Sequence, residues 1–199
     1  MQPSPLGHAL KRGTFHAALG LAIAAALFLC PRLAVVSVLA SATVAFLCLE
    51  AVRLRLPFVN QLFHAIFAPF LRQEEENRLT GSSYFLIGCL ATALIFPAPV
   101  AFLAIIFLSL GDPVATIVGI WQGHFRLWHK TVEGTIACLL ACLAAGTLTA
   151  VLAETLPLSV TLLGAVTATL FQALPLRLDD NVAIPLTSAT AMLALTTLI

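Results

Sequence analysis

The chain has 199 residues, of which 60% are hydrophobic and only 10% are charged, and its formal net charge is +1. A soluble domain is closer to half apolar and a quarter charged, so this composition excludes an ordinary soluble protein and predicts an integral membrane protein. Its surroundings are then the bilayer, and no nucleic-acid partner is expected. The five cysteines lie in apolar runs without a C-x-x-C pair, which argues against a zinc or disulfide framework.

Apolar runs follow one another along the chain with only short separations. A helix needs about 20 apolar residues to cross the hydrocarbon core of a bilayer, and fewer where its ends are anchored. The pattern predicts an all-α bundle of about seven transmembrane helices that form a single domain over residues 1–199. The predicted spans are 14–29, 33–49, 82–96, 100–120, 132–152, 160–174 and 182–199.

Residues 57–71, between the second and third spans, have a different pattern. Phe58, Leu62 and Ile66 recur at helical spacing, with polar residues between them. This spacing predicts an amphipathic helix that lies in the membrane interface. The alternative is a short linker that packs on the bundle.

The charged residues are distributed unevenly between the two ends of the predicted bundle. Seven spans place nine of the ten Lys and Arg residues on the side of the N-terminus and only Arg32 on the other side. Cytoplasmic loops collect Lys and Arg, so we predict a protein of the inner (cytoplasmic) membrane, with the N-terminus in the cytoplasm and the C-terminus on the opposite side. Eight of the nine acidic residues also lie at or near the inner side, which is more than orientation requires.

Gly111-Asp112-Pro113 lies in the later half of the fourth span. An ionisable residue within a span is costly and is a candidate functional residue by default. Pro113 lacks a backbone donor, so we predict that this helix is kinked or broken and that Asp112 lies where a half-helix begins. A carboxylate there suits Mg²⁺. The alternative is a structural carboxylate that caps the broken helix or pairs with an arginine.

The segment from Lys130 to Gly134 begins the fifth span. A lysine at the start of a helix suits a phosphate, because the helix dipole and the free amides already favour an anion. Gly119 and Gly123 precede it and would let a loop fold closely around a ligand. The alternative is a cationic membrane anchor, with Glu133 as an acidic residue of the first helical turn.

Asp179, Asp180 and Asn181 precede the seventh span, at the same inner side. Adjacent carboxylates and an amide oxygen suit a hard cation, and they would face Asp112 if the bundle closes. An Asx turn that caps the helix explains the same residues equally well.

Five short elements, which extend over residues 12–186, occur in the order found in one enzyme family. They are Arg12-x-x-Phe15-His16, Glu75-Glu76-x-Arg78-Leu-Thr80-Gly81, Gly111-Asp112-Pro113-x-Ala115-x-x-x-Gly119, Lys130-Thr131-x-Glu133-Gly134-Thr135 and Asp179-Asp180-Asn181-x-x-Ile184-Pro185. In these elements the chain resembles the CTP-dependent lipid kinases, which include dolichol kinase, phytol kinase and CTP-dependent diacylglycerol kinase. Two of the elements also resemble CDP-diacylglycerol synthase, but that enzyme's later Gly-His-Gly-Gly and Asp-Arg signature is missing, which favours the kinase branch.

The resemblance implies a kinase that transfers a phosphoryl group from CTP, or another nucleoside triphosphate, to the hydroxyl of a lipid alcohol, with Mg²⁺ as cofactor. A polyprenol, a phytol-like prenol and diacylglycerol are the candidate lipids. The active site would lie on the cytoplasmic side. The alternatives are a cytidylyltransferase that makes a CDP-lipid and a non-catalytic transporter.

The resemblance also assigns roles to individual residues. Asp112, Lys130 and Asp180 are the expected catalytic residues, and Asp112, Asp179 and Asp180 are the expected metal ligands. The residue that orients or deprotonates the lipid hydroxyl stays open among Asp112, Asp179 and Glu133. The residues expected to bind the nucleotide are Arg78, Gly111, Gly119, Gly123, Arg126, Thr131, Glu133, Gly134 and Asn181.

Overall fold

The computed structural model describes residues 4–199 and is almost entirely helical. Residues 1–3 of the predicted domain lie outside the described part. The helices are α1 (Pro5–Leu29), α2 (Arg32–Arg55), α3 (Pro57–Phe67), α4 (Gly81–Ile95), α5 (Ala98–Gln122), α6 (Val132–Leu152), α7 (Leu158–Ala173) and α8 (Asp180–Thr196). Two 3₁₀ turns, Ala68–Phe70 and Gln73–Asn77, precede α4, and a hairpin of β1 (Arg126–Leu127) and β2 (Lys130–Thr131) joins α5 to α6.

The helix lengths fit a membrane protein. Helices α1, α2, α5 and α6 are long and apolar enough to cross a bilayer, and α4 and α7 are apolar but shorter. The full count of seven spans stays a prediction, and so does the place of α3 in the membrane interface. Helix α3 buries Phe63 and leaves Phe58, Leu62 and Ile66 exposed as one apolar face.

Helix α5 is the centre of the bundle. It contacts α1, α4, α6, α7 and α8, and most of its residues between Val100 and Ala115 are buried. A helix that is apolar on all sides is buried in a protein core or in a membrane, and α5 has that composition. Its last turns carry Asp112 into the interior near one end of the bundle.

The structure corrects the predicted break in this helix. Helix α5 runs without interruption from Ala98 to Gln122, with Pro113 inside it, so Asp112 does not lie at the start of a half-helix. Proline is tolerated inside such helices where neighbouring helices support the freed backbone group. Helix α1 provides close packing here: a Cβ atom on Gly13 would lie 3.2 Å from Pro113 Cβ.

The end of α2 corrects a second boundary. The helix continues to Arg55 instead of ending near residue 49, so that Glu50 and Arg53 lie within it and are buried. Arg53 Nη2 donates a hydrogen bond to Glu50 Oε2 at 2.7 Å, and Thr80 Oγ1 donates to Glu50 Oε1 at 2.7 Å. Buried charges are tolerated when they are paired in this way, so α2 does not have to end where its charged residues begin.

Arg53 also fixes the polar segment 72–80. Its Nη2 donates to the backbone carbonyls of Glu75 and Arg78, at 3.2 and 2.6 Å. Within the segment, the Glu75 carboxylate accepts a hydrogen bond from the Arg72 amide at 3.0 Å. The most polar stretch of the chain is therefore held against the bundle by a buried guanidinium.

Two further helices start earlier than the predicted spans because capping residues extend them at the N-terminus. Helix α1 begins at Pro5 rather than at residue 14, and its N-cap Ser4 accepts a hydrogen bond from the Gly7 amide. Helix α8 begins at Asp180 and ends at Thr196, rather than extending over 182–199. Side-chain oxygens at the N-cap satisfy amides that the helix leaves free.

Two glycines let helices approach closely where they carry polar residues. A Cβ atom on Gly134 would lie 2.5 Å from the backbone oxygen of Ala115, so α6 touches α5 at this point. A Cβ atom on Gly88 would collide with the backbone oxygen of Asn181, so α4 touches the start of α8. These contacts bring the first turn of α6 and the first turn of α8 to the same end of α5.

Candidate active site

The three residues predicted to be catalytic come together at one end of the bundle. Lys130 Nζ donates a hydrogen bond to Asp180 Oδ2 at 2.5 Å and lies 3.8 Å from Asp112 Oδ1. They come from β2, α8 and α5, so the tertiary fold is required to join them. We call these three residues the Lys130 cluster.

The charge of Lys130 depends on its two carboxylate neighbours. Burial by itself lowers the pKa of the Lys130 ammonium, but the nearby carboxylates of Asp112 and Asp180 raise it more, and the net pKa lies above the ordinary value. Lys130 is therefore a cation at neutral pH, and it is balanced by two acidic groups rather than by one.

The hairpin before α6 positions Lys130. Strand β1 pairs with β2, and Leu127 lies opposite Lys130. Thr131 is the N-cap of α6, and its Oγ1 accepts a hydrogen bond from the Gly134 amide at 3.1 Å. Lys130 therefore lies on a strand directly before the N-cap rather than in the helix itself.

Glu133 supports this hairpin from the first turn of α6. Its Oε1 accepts hydrogen bonds from the backbone amides of His124 and Phe125, at 2.9 and 3.1 Å. These contacts account for its conformation without a ligand. Nucleotide binding by Glu133 stays a prediction.

Asp179 and Asn181 form the start of α8. Asp179 is the N-cap, and its Oδ1 accepts hydrogen bonds from the Asn181 backbone amide at 3.0 Å and from Asn181 Nδ2 at 2.7 Å. This is the Asx capping arrangement that the sequence left open. A metal-binding role for Asp179 and a nucleotide-binding role for Asn181 stay predictions.

Binding of a divalent cation by Asp112 and Asp180 stays a prediction. Within residues 4–199, no group of three or more His, Cys, Asp or Glu side chains is arranged to hold a metal ion. Mg²⁺, however, commonly uses only one or two protein carboxylates and takes its other ligands from phosphates and water. Two carboxylates that share one ammonium match this requirement.

Two cavities open beside the Lys130 cluster, and both are lined by His129 and Lys130. The α5–α7 cavity has a volume of about 150 Å³, and its walls include Gly119, Arg126, His129, Lys130, Gly134 and Gln172. The hairpin cavity has a volume of about 200 Å³, and its walls include Arg72, Trp128, His129, Lys130, Asp179 and Asp180. Lys130 can therefore interact with groups bound in either cavity.

Two smaller cavities lie on the side of α1. One of about 30 Å³, the α1–α4 cavity, is lined by Arg12, Phe15, His16, Phe70, Phe85 and Asn181, among others. The other, of about 20 Å³, is lined by Asp112 together with Arg12 and His16. Because Arg12 and His16 line both, the two cavities adjoin and extend from α4 to Asp112.

The structure brings together four of the nine residues predicted to bind nucleotide. Gly119, Arg126, Thr131 and Gly134 all line the α5–α7 cavity.

The other five residues predicted to bind nucleotide lie elsewhere in the fold, as given above for Glu133 and Asn181. Gly111 packs against Cys138 and Cys142, Gly123 lies against Thr131, and Arg78 is exposed and contributes its carbonyl to Arg53. Their roles in nucleotide binding stay predictions.

Sequence reasoning missed several polar residues that line these cavities, among them His129, which lines both of the larger ones. Gln172 is a polar residue inside the predicted sixth span, and that position is the signal that identifies it. Arg72 faces the hairpin cavity with Asp179 and Asp180. It lies in a run of charged residues, so the sequence gives no signal that separates it from its neighbours.

No protein-family model and no solved structure matches the chain. The chain is 27% identical over 81 residues to CTP-dependent diacylglycerol kinase 1 of Schizosaccharomyces pombe, and the match covers 41% of the chain and 34% of the relative. It is 26% identical over 92 residues to CTP-dependent diacylglycerol kinase 1 of Saccharomyces cerevisiae, covering 45% and 32%. It is also 26% identical over 163 residues to the uncharacterized protein RP860 of Rickettsia prowazekii, covering 78% and 79%.

The matched segment spans about a third of the length of the two fungal kinases. These partial matches support the resemblance to CTP-dependent lipid kinases in general. They do not separate one lipid substrate from another.

Proposed function

We propose that the chain is a membrane lipid kinase that transfers a phosphoryl group from CTP to the hydroxyl of a lipid alcohol. The observation that carries the proposal is the convergence of Asp112 and Asp180 on Lys130 at a helix end. Phosphoryl transfer depends mainly on positioning and on neutralising charge, rather than on covalent chemistry by the protein. One cation and two carboxylates beside open cavities match that requirement, and the partial similarity to two CTP-dependent kinases indicates the donor.

Lys130 is the residue that binds the phosphates of the donor. Its ammonium stays charged because Asp112 and Asp180 raise its pKa. The same two carboxylates would hold Mg²⁺, which neutralises phosphate charge when it is bound. Arg126 and His129, which line the α5–α7 cavity with Lys130, add donors near the phosphates.

Asp112 is the carboxylate that orients the lipid hydroxyl. Of the three candidates, Glu133 accepts from amides of the hairpin and Asp179 accepts from Asn181. Within residues 4–199, Lys130 is the one ion-pair partner of Asp112, at 3.8 Å, so Asp112 retains oxygen lone pairs for a hydroxyl hydrogen.

The lipid alcohol reaches Asp112 from the side of α1. The α1–α4 cavity combines aromatic walls with polar groups, and it adjoins the small cavity that contains Asp112. Phe15 and Phe70 line this cavity, are both exposed on the bundle surface and have their ring centroids 5.2 Å apart. An apolar tail therefore has an apolar surface next to the acidic group that its hydroxyl must reach.

The test is an assay of the purified full-length protein in nanodiscs with Mg²⁺, γ-labelled CTP and a panel of a polyprenol, phytol and diacylglycerol. We expect label in a lipid phosphate and release of CDP. A parallel reaction with phosphatidate in place of the alcohols tests the alternative, since pyrophosphate release with a CDP-lipid product would support a cytidylyltransferase. Absence of both products, together with absence of CTP binding, would contradict the proposal and favour a transporter.

A further inference from the structure

Gln172 has an unusual environment for a polar residue in a helix bundle. Its side chain is only 1% exposed, and its Oε1 has no hydrogen-bond partner within residues 4–199. A buried amide without partners is unfavourable, so nearly all such groups in folded proteins are paired with protein, water or a ligand. Gln172 also lines the α5–α7 cavity, so an occupant of that cavity is a candidate for the missing partner once the carboxamide turns towards it.

The size of the cavity suits a single small ring. Its volume is about 150 Å³, and an engineered enclosed cavity of about 150 Å³ binds benzene. One six-membered ring therefore fills the cavity, and a fused bicyclic ring would extend out through its open side. Gly119 and Gly134 line the cavity without side chains and so leave this space open.

The cavity lining contains both charged and neutral polar groups. Arg126, His129 and Lys130 supply cationic or hydrogen-bond-donating groups, and Lys130 connects the cavity to Asp112 and Asp180. Gln172, on α7, supplies a neutral amide to the same cavity. A nucleotide carries the matching groups, which are anionic phosphates and a flat hydrogen-bonding ring.

We propose that the α5–α7 cavity binds the pyrimidine base of the nucleotide donor and that the Gln172 carboxamide recognises the edge of that base. The inference rests on the proposed function and adds to it the residue that sets base specificity. A carboxamide has one acceptor oxygen and two N–H donors. Cytosine presents a 4-amino donor beside the N3 acceptor, which is the complementary pair.

The donor panel separates the contribution of ring size from that of hydrogen bonding. We expect the full-length protein in nanodiscs, with one lipid alcohol, to use CTP and UTP at least about 10-fold better in kcat/KM than ATP, because the purine ring exceeds the cavity. Equal use of ATP and CTP would overturn the inference and leave the lipid kinase proposal intact.

Substitution of Gln172 tests the hydrogen bonds. Q172L keeps the volume of the side chain and removes its polar atoms, and we expect kcat/KM for CTP to fall by about 10- to 100-fold through KM. Q172E can only accept hydrogen bonds, so it keeps one partner on either pyrimidine, the 4-amino group of cytosine or the N3–H of uracil, and faces an acceptor in place of the other. We therefore expect kcat/KM to fall for both CTP and UTP in Q172E, as it does in Q172L.

The matched control is Gln61→Leu, because Gln61 is an exposed glutamine on α3 far from the cavity, and it should leave all three donors unchanged. Calorimetric titration of CTP into the same nanodiscs gives a second measurement that does not require turnover. If no lipid is phosphorylated but CTP binds and Q172L abolishes that binding, the lipid kinase proposal fails and the base site stands. If Q172L and Q172E both bind and use CTP and UTP like the unmodified protein, the base site is wrong.

Discussion

Two groups of buried charges in this molecule have similar chemistry and different surroundings. The Glu50–Arg53 pair is completely enclosed, with both side chains at 0% exposure, whereas Lys130 in its cluster is 28% exposed. Arg53 donates to Glu50, to Asn60 Oδ1 and to the carbonyl of Arg78. In the Lys130 cluster, the ammonium contacts the two carboxylates of Asp112 and Asp180, and Lys130 lines two open cavities.

The two groups differ in how many of their hydrogen-bond donors and acceptors are paired within the protein. A buried ion pair whose donors and acceptors are all used adds little net stability, but it is costly to break. It therefore acts as a structural joint between α2 and the segment 72–80. An ion cluster with spare donors and acceptors beside a cavity is arranged for a ligand. Charge by itself does not separate the two roles.

The largest expected effect is on stability, from breaking the structural joint. We expect Arg53→Ala to lower the free energy of unfolding by about 3–5 kcal/mol, because it leaves the Glu50 carboxylate buried and unpaired. Thermal unfolding of the detergent-solubilised protein, followed by loss of monodispersity, measures it.

The matched control is Arg55→Ala, since Arg55 is exposed two residues further along α2 and should change stability little. The double variant Glu50→Leu with Arg53→Met removes both charges, and we expect it to recover the part of the loss that comes from the unpaired Glu50 carboxylate, but not the part that comes from the carbonyls of Glu75 and Arg78, which lose their donor. An Arg53→Ala protein as stable as the Arg55→Ala protein would show that the joint is not structural.

The second prediction concerns the Lys130 cluster, where we expect a large effect on activity and a small effect on stability. We expect Lys130→Ala or Asp180→Asn to lower kcat for lipid phosphorylation by about 10²–10³-fold, which is the usual loss when one electrostatic contact to a reacting group is removed. The unfolding temperature should change far less than in Arg53→Ala.

Lys11→Ala is the control for Lys130, since Lys11 is an exposed lysine on α1 outside the cavities. Full activity in Lys130→Ala would remove the Lys130 cluster from the reaction. A loss of stability equal to that of Arg53→Ala would make the cluster a second structural joint.

The helices were predictable because apolar runs determine them locally. The predicted boundaries of the fifth span, 132–152, coincide with α6, and each of the other predicted spans overlaps a helix. The approach of Asp112, Lys130 and Asp180 was expected from their common side of the membrane. That expectation needed only the order of the helices. The distances from Lys130 Nζ to the carboxylates of Asp112 and Asp180 confirm that the three residues are in contact.

The features that sequence reasoning missed depend on contacts between distant segments. Helix α2 continues past Glu50 because Arg53 and Thr80 satisfy that carboxylate. Helix α5 continues through Pro113 because it is packed against α1. Local propensity predicts an end at each position, and tertiary packing overrides it.

The third prediction tests the packing that places the Lys130 cluster. Gly134→Ala would put a Cβ atom 2.5 Å from the backbone oxygen of Ala115, and backbone atoms cannot rotate away. We expect a loss of about 1–3 kcal/mol in stability and a loss of activity, because the start of α6 and the adjoining Lys130 must move. Gly7→Ala is the control, since the nearest atom there is the flexible Ser4 Oγ at 3.2 Å, and it should be neutral or slightly stabilising.

The smallest expected effect is on the pH dependence of stability, and it tests whether the Lys130 cluster contributes to folding at all. The pKa of Lys130 is raised in the folded protein, so its stabilising effect is complete below the ordinary lysine pKa of about 10.4 and is lost as the pH rises through the higher folded value. The difference in unfolding temperature between the unmodified protein and Lys130→Met should therefore stay constant from neutral pH to about pH 10 and shrink above it. If the difference in unfolding temperature already shrinks between pH 7 and pH 9, Lys130 is not held as a cation by Asp112 and Asp180. The distinction between the Lys130 cluster and the Glu50–Arg53 pair would then need another physical basis.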